Sequence, residues 1–130
     1  MYLLDTNTLI YFFKRQGNVS ERLLNTTPSE IAISLLTVYE IEVGLAKSSD
    51  PLRRRNQFEE FLSVVKLIPF DQNEARISAQ LRAILEKIGK PIGPIDTLIA
   101  GSALAHGATL ITHNLSEFER VPGLAVEDWF

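Results

Sequence analysis

Cysteine is absent from this chain of 130 residues, which excludes disulfides, zinc–thiolate centres and thiol catalysis and leaves any metal to oxygen or imidazole ligands. Long apolar runs are missing too. No segment reaches the roughly 18 unbroken apolar residues of a membrane span, and the start, MYLLDTN, has neither the basic region nor the apolar stretch of a secretory signal. A cytoplasmic protein without membrane contact is expected. Nor is there a surplus of positive charge, since 13 Lys and Arg against 16 Asp and Glu give a net charge of −3. Nucleic-acid binding usually leaves a basic footprint, so here it would have to be a local basic surface masked by a cluster of acids. Repeats, low-complexity tracts and linkers are absent as well. A chain of this length buries roughly two-thirds of its unfolded surface around one core, so a single domain over residues 1–130 is expected.

What the chain does contain is an alternation of short apolar runs and helical patterns. Strands are expected at 2–4, 31–35, 66–70 and 108–112, with a last apolar segment at 124–126 before Trp129 and Phe130. Between them, 8–13 is helix-compatible, a second helix follows Ser20 and stops at the Asn25-Thr26-Thr27-Pro28 breaker, and Thr37 is placed to cap a helix over 38–47. Ser49-Asp50-Pro51 opens a helix that carries Phe58, Phe61, Leu62 and Val65 on one side. The longest helical pattern begins at Asp71, places Ile77, Leu81, Ile84, Leu85 and Ile88 at three and four spacing, and closes at Gly89. After the Pro91-Ile92-Gly93-Pro94 loop, 96–106 is helical, with Gly107 as its C-cap. Strands that alternate with helices argue for a parallel α/β sheet with helices on both faces.

Three lone acids stand beside the breaks in this pattern: Asp5 in LLDTN, Glu40 in LLTVYE and Asp96 in GPIDTLIA. In open parallel sheets, ligands bind outside the carboxyl ends of the strands. Asp5 ends the first expected strand, Glu40 lies in the first turn expected after the second, Asn114 follows the strand ending at Thr112, and Asp96 opens a helix on the return path. One rim is thus a plausible meeting point for all four. At 3.6 residues per turn, Asp96 leads a face made of Ile99, Ala100, Ala103 and Gly107, an unusual place for a carboxylate that serves only as a cap or a dipole partner. Periodicity does not choose between Glu40 and Glu42, and Asp5 also suits a helix cap. Two carboxylates ~5 Å apart repel by about 3 kcal/mol at an effective dielectric near 20. Converging acids must therefore take up protons or a cation, and oxygen-only ligands suit Mg²⁺ or Mn²⁺.

Together, LLDTNTLIY, YEIEVG and GPIDTLIAGSALAHGATLITHNLSEFERVPGL resemble the PIN-domain family and, within it, the VapC-type toxins of bacterial toxin–antitoxin pairs. The resemblance covers essentially the whole chain. It implies a three-layer sandwich with a mostly parallel central sheet flanked by helices. The implied activity is that of a Mg²⁺- or Mn²⁺-dependent endoribonuclease that leaves a 3′-hydroxyl and a 5′-phosphate. In this motif alignment Glu40, four residues before Gly44, is the family's glutamate and Glu42 is not. Asp5, Glu40 and Asp96 form the implied catalytic site, with Asp5 and Asp96 as metal ligands and Glu40 acting on the attacking water. Where the family often has a fourth acid, this chain has Asn114, with Glu117 as a possible substitute. A cognate antitoxin and a homodimer are the implied partners.

Other features have plainer readings beside functional ones. Arg53-Arg54-Arg55 is either a solvated helix face or a set of RNA phosphate contacts. Asp71 and Glu74 have the spacing of a capping box. His106 is placed to favour a helix C-terminus, and neither it nor His113 is assigned a catalytic role. The terminal Trp129 and Phe130 suit either a partner contact or packing on the sheet edge. Two rival functions share the pattern. A phosphatase of the haloacid-dehalogenase kind would use Asp5 as nucleophile, but its usual second Asp is replaced here by Asn7. A binding module without catalysis would keep the fold alone.

Overall fold

The computed structural model describes all residues, 1–130. Five parallel strands form one sheet in the order β3-β2-β1-β4-β5: β1 (Tyr2–Leu4), β2 (Ile31–Ser34), β3 (Lys66–Ile68), β4 (Thr109–Ile111) and β5 (Val126–Glu127). Central β1 pairs Tyr2 with Ile31 on one side and with Thr109 on the other. Seven α-helices connect the strands: α1 (Thr6–Phe13), α2 (Val19–Leu24), α3 (Leu35–Ala46), α4 (Pro51–Leu62), α5 (Gln72–Lys87), α6 (Pro94–Ala105) and α7 (Leu115–Phe118).

Alternation along each strand sends neighbouring side chains to opposite faces. Leu3, Ala32, Ile68 and Leu110 pack with Leu81, Leu85, Ile99, Ala100 and Ala103 of α5 and α6. On the other face, Leu4, Ile31, Ile33 and Ile111 meet Leu9, Leu45, Phe58 and Trp129. The result is the expected three-layer arrangement, with each fully buried Leu or Ile contributing about 1.5–3 kcal/mol.

Several element ends differ from the sequence expectation. The helix expected from 38, capped by Thr37, starts three residues earlier because the Ser34 hydroxyl accepts the Leu36 amide at 3.1 Å. Thr37 is then buried inside the helix, and Glu40 falls in the second turn rather than the first. The first helix likewise begins at Thr6, two residues before the expected start, because Asp5 caps it. The second expected strand stops at Ser34 and the third at Ile68, and the last apolar run becomes a strand at Val126–Glu127.

The capping box at Asp71 and Glu74 is present, with the Asp71 amide donating to Glu74 Oε2 at 2.9 Å. His106 is the C-cap of α6, and its Nε2 lies 3.0 Å from Glu74 Oε1, tying the end of α6 to the start of α5. Trp129 is buried, its Nε1 donating to Glu127 Oε1 at 3.2 Å, so the terminal segment packs on the sheet edge.

Helices α5 and α6 pack tightly at Gly101. A Cβ built there would lie 1.9 Å from Ser78 Oγ and 2.9 Å from Ser78 Cα, and that Oγ has no hydrogen-bond partner. Gly101→Ala is expected to destabilise the protein by about 1–3 kcal/mol. Ser78→Ala, which removes the unpartnered hydroxyl, should stabilise it by about 1 kcal/mol. Denaturant unfolding of the two variants checks both signs.

Candidate active site

The order of strands reverses at β1, so the crevice outside the carboxyl ends of β1 and β4 is the natural ligand site of this topology. Asp5 leaves the end of β1 there. Its Oδ1 accepts the Thr8 amide at 2.8 Å, and the Thr8 hydroxyl donates to the Ile111 carbonyl at 3.1 Å, which ties the start of α1 to β4. Asp5 is only 6% exposed. Burial pushes its carboxyl above the ordinary range, and the nearby Glu40 adds to the rise. Hydrogen bonds from Thr112 and Thr8 oppose it.

Glu40 reaches the same region from α3. The Thr6 hydroxyl donates to its Oε1 at 2.5 Å, and the Thr6 and Thr37 hydroxyls are 3.1 Å apart. Glu42 turns elsewhere and forms a two-pronged pair with Arg55 at 2.8 and 2.6 Å. Resemblance alone separated the two glutamates in the sequence; in the folded chain Glu40 is the one whose charge acts on Asp5 and Asp96.

Asp96 occupies the first turn of α6 and is half-buried. Its carboxyl is pushed up to about 7, first by burial, then by a hydrogen bond to Glu117 and the charges of Glu117, Asp5 and Glu40. Glu117, on α7, accepts the Gly93 amide at 3.0 Å and the Asn114 side-chain amide at 2.8 Å. These bonds, the Gly93 amide foremost, hold its carboxylate below the ordinary range. A proton taken up by the pair therefore goes to Asp96 before Glu117. A Cβ added at Gly93 would lie 3.5 Å from Asp96 Oδ2 and 3.8 Å from Glu117 Oε1, so the missing side chain leaves open the space both carboxylates face.

All five candidate residues thus border one region, though in different roles. Asn114 donates its amide to Glu117 and positions that acid. Glu117 is drawn further into the site than its three-residue spacing from Asn114 suggests. That spacing is the signal of a capping pair, yet its partner amide is Gly93, 24 positions away. His113 was given no role by sequence reasoning. It lines a cleft of about 220 Å³ with Asp5, Asn7, Tyr11 and Asn114, its ring stacked on Phe130 at 4.2 Å and its Nδ1 2.9 Å from Asp128.

The donor set is made of carboxylate and amide oxygens, which fits a hard divalent ion. No three Asp, Glu or His side chains already stand within ligating reach of one point. Thr8 and Thr6 hold Asp5 and Glu40, while Gly93 and Asn114 hold Glu117. These three acids are gathered but individually tethered, and beside them the carboxyl of Asp96 is raised, first by burial and then by its neighbours.

The family model for the PIN domain matches residues 2–124. The chain is 38% identical over 128 residues to the tRNA(fMet)-specific endonuclease VapC of Salmonella typhimurium, covering 98% of this chain and 97% of that one. It is 35% identical to ribonuclease VapC2 of Rickettsia felis, covering 99% and 98%. Among solved structures, DNA-bound VapBC from Salmonella typhimurium superposes with a TM-score of 0.92 at 38% identity, covering 99% of this chain and 98% of that one. VapBC2 from Rickettsia felis, bound to a promoter DNA fragment, gives 0.91 at 34% identity, with 99% and 98% covered.

Since its pKa is raised when folded, Asp96 adds stability at pH values below the ordinary carboxylate range, and that contribution is lost as pH rises through about 7. Metal-free Asp96→Asn should therefore melt above the wild type at pH 8, with the gap narrowing as pH falls to 5. Excess Mn²⁺ should raise the wild type more than the variant. Thermal melts across that range test this, and an equal melting temperature at every pH would contradict it.

Proposed function

The chain belongs to the PIN-domain family, and on that footing we propose that it is a Mg²⁺- or Mn²⁺-dependent endoribonuclease, the toxin of a toxin–antitoxin pair. One observation carries the reading: Asp5, Glu40 and Asp96, far apart in sequence, act on one another's charge at the rim where this topology places its ligands. The near full-length similarity to VapC ribonucleases supports it. It also leaves no ground for the haloacid-dehalogenase alternative, whose second Asp is Asn7 here.

Asp5 and Asp96 would hold the divalent ion, with Glu117 beside Asp96 as a further oxygen donor. When bound, such an ion acidifies water and offsets the negative charge that grows on the phosphoryl oxygens. Glu40, oriented by the Thr6 hydroxyl, aligns and deprotonates the attacking water. The water oxygen joins phosphorus, the bond from phosphorus to the 3′-oxygen breaks, and a proton passes to that oxygen. The products are a 3′-hydroxyl and a 5′-phosphate. Asn114 keeps Glu117 in place rather than replacing the fourth acid itself.

The proposed setting is a single domain over residues 1–130 that works in the cytoplasm. No helix is long and apolar enough to cross a membrane. An antitoxin is the expected protein partner, because the solved relatives are VapBC toxin–antitoxin complexes. We further propose a homodimer, for which Leu35, Tyr39 and Val43 offer an apolar stripe: they recur every four residues along α3 and are 41%, 61% and 36% exposed. Light scattering on the purified protein is expected to give twice the chain mass, and a monomer mass would refute the pairing.

Purified protein should cleave RNA with Mg²⁺ or Mn²⁺ and stop when a chelator is added. Asp5→Asn keeps a side chain that caps α1, so it should fold while losing about 100-fold or more of the activity, as for loss of one electrostatic group in a catalytic site. Sequencing of the new 5′-phosphate ends locates the cuts. Undiminished cleavage by Asp5→Asn would overturn the assignment.

A further inference from the structure

We infer that the groove between α1, α3 and α4 seats a single-stranded segment of the RNA next to the cut bond, with Lys14, Arg53 and Arg54 turned to its phosphates. This rests on the ribonuclease reading above. The groove encloses about 270 Å³, and Glu40 lines it together with these three cations. Glu40 is therefore common to the groove and the acidic rim, so a strand lying in one continues into the other.

The basic run Arg53-Arg54-Arg55 divides in the folded chain. Arg55 is committed to Glu42 by two short hydrogen bonds. Arg53 pairs only with Asp50, at 3.2 Å, with the two side chains 82% and 57% exposed. So exposed a pair is weak and yields readily to a phosphate. Arg54 and Lys14 are exposed and have no ion-pair partner, in contrast to their neighbour. Both line the groove, Arg54 from α4 and Lys14 from the C-cap of α1.

Electrostatics requires something of this kind. The acids of the rim repel the polyanion they are to cut, and the chain as a whole is negative, so attraction must come from cations close to the site. Between the cations the groove is apolar, with Ile10, Phe13 and Ile41 among its lining. An aromatic and aliphatic floor under a row of cations is the arrangement that holds one unstacked base and its flanking phosphates without regard to sequence.

The test is the salt dependence of affinity, read by fluorescence anisotropy of a fluorescein-labelled single-stranded RNA oligonucleotide without divalent metal, so that no cleavage intervenes. Arg54→Gln and Lys14→Gln should each reduce the slope of log affinity against log salt by about 0.7, and the double variant by about 1.4. Lys87→Gln, on the exposed face of α5 and outside the groove, should retain the wild-type slope. An unchanged slope in the double variant overturns the proposal. So does weakened antitoxin binding with RNA binding intact, which would give the groove to a protein segment instead. Failure of the ribonuclease reading looks different: RNA binding with the expected slopes, but no metal-dependent cleavage by the wild type.

Discussion

Carboxylates held together in a partly buried recess repel one another by several kcal/mol unless protons or cations intervene, and the functional end of this fold is organised around that constraint. Asp5 is nearly buried, Asp96 half-buried, and Glu40 and Glu117 stand close enough to add their charge to Asp96. Three of these acids have a local tether that limits the cost. Thr8 and Thr112 serve Asp5, Thr6 serves Glu40, and the Gly93 amide serves Glu117. Asp96 has no comparable donor, and its carboxyl is pushed up to about 7, first by burial and then by its hydrogen bond to Glu117 and the charges of Glu117, Asp5 and Glu40. In the proposed function, a divalent ion would relieve the same repulsion without a proton and make the acids a site for phosphodiester chemistry.

The parallel sheet makes the gathering possible. With β1 in the middle, the chain leaves its carboxyl end at Asp5 beside the end of β4, where His113 and Asn114 begin the next turn. The C-terminal segment steadies this edge. The Thr112 amide donates to the Glu127 carbonyl at 2.9 Å, Asp128 holds His113, and Phe130 stacks on the same ring. Trp129 anchors the segment in the core beneath. Stability and site geometry therefore share residues.

Much of this was legible in the sequence because it rests on local rules. Strand–helix alternation gave the fold class, the Asp71–Glu74 spacing gave a capping box, and the helical wheel marked Asp96 as a carboxylate leading an apolar face. The misreading of α3 was also local. Ser34 and Thr37 are both good caps, and what decides for Ser34 is that Thr37 is buried against Thr6, 31 positions away. The role of Glu117 was under-read for the same kind of reason, since its decisive partner is a loop amide distant in sequence. The arginine run shows the limit of composition most plainly. Three identical side chains in a row have three different fates, set by whether Glu42, Asp50 or no acid lies within reach.

The central claim is that Asp5 and Asp96 share one divalent cation at the strand-end rim. Crystals grown with Mn²⁺ and measured for anomalous scattering test it most directly. The account predicts a single strong peak about 2.1 Å from an oxygen of each carboxylate, lost in Asp96→Asn. A peak bound to neither, or none at saturating Mn²⁺ and pH 8, would contradict it.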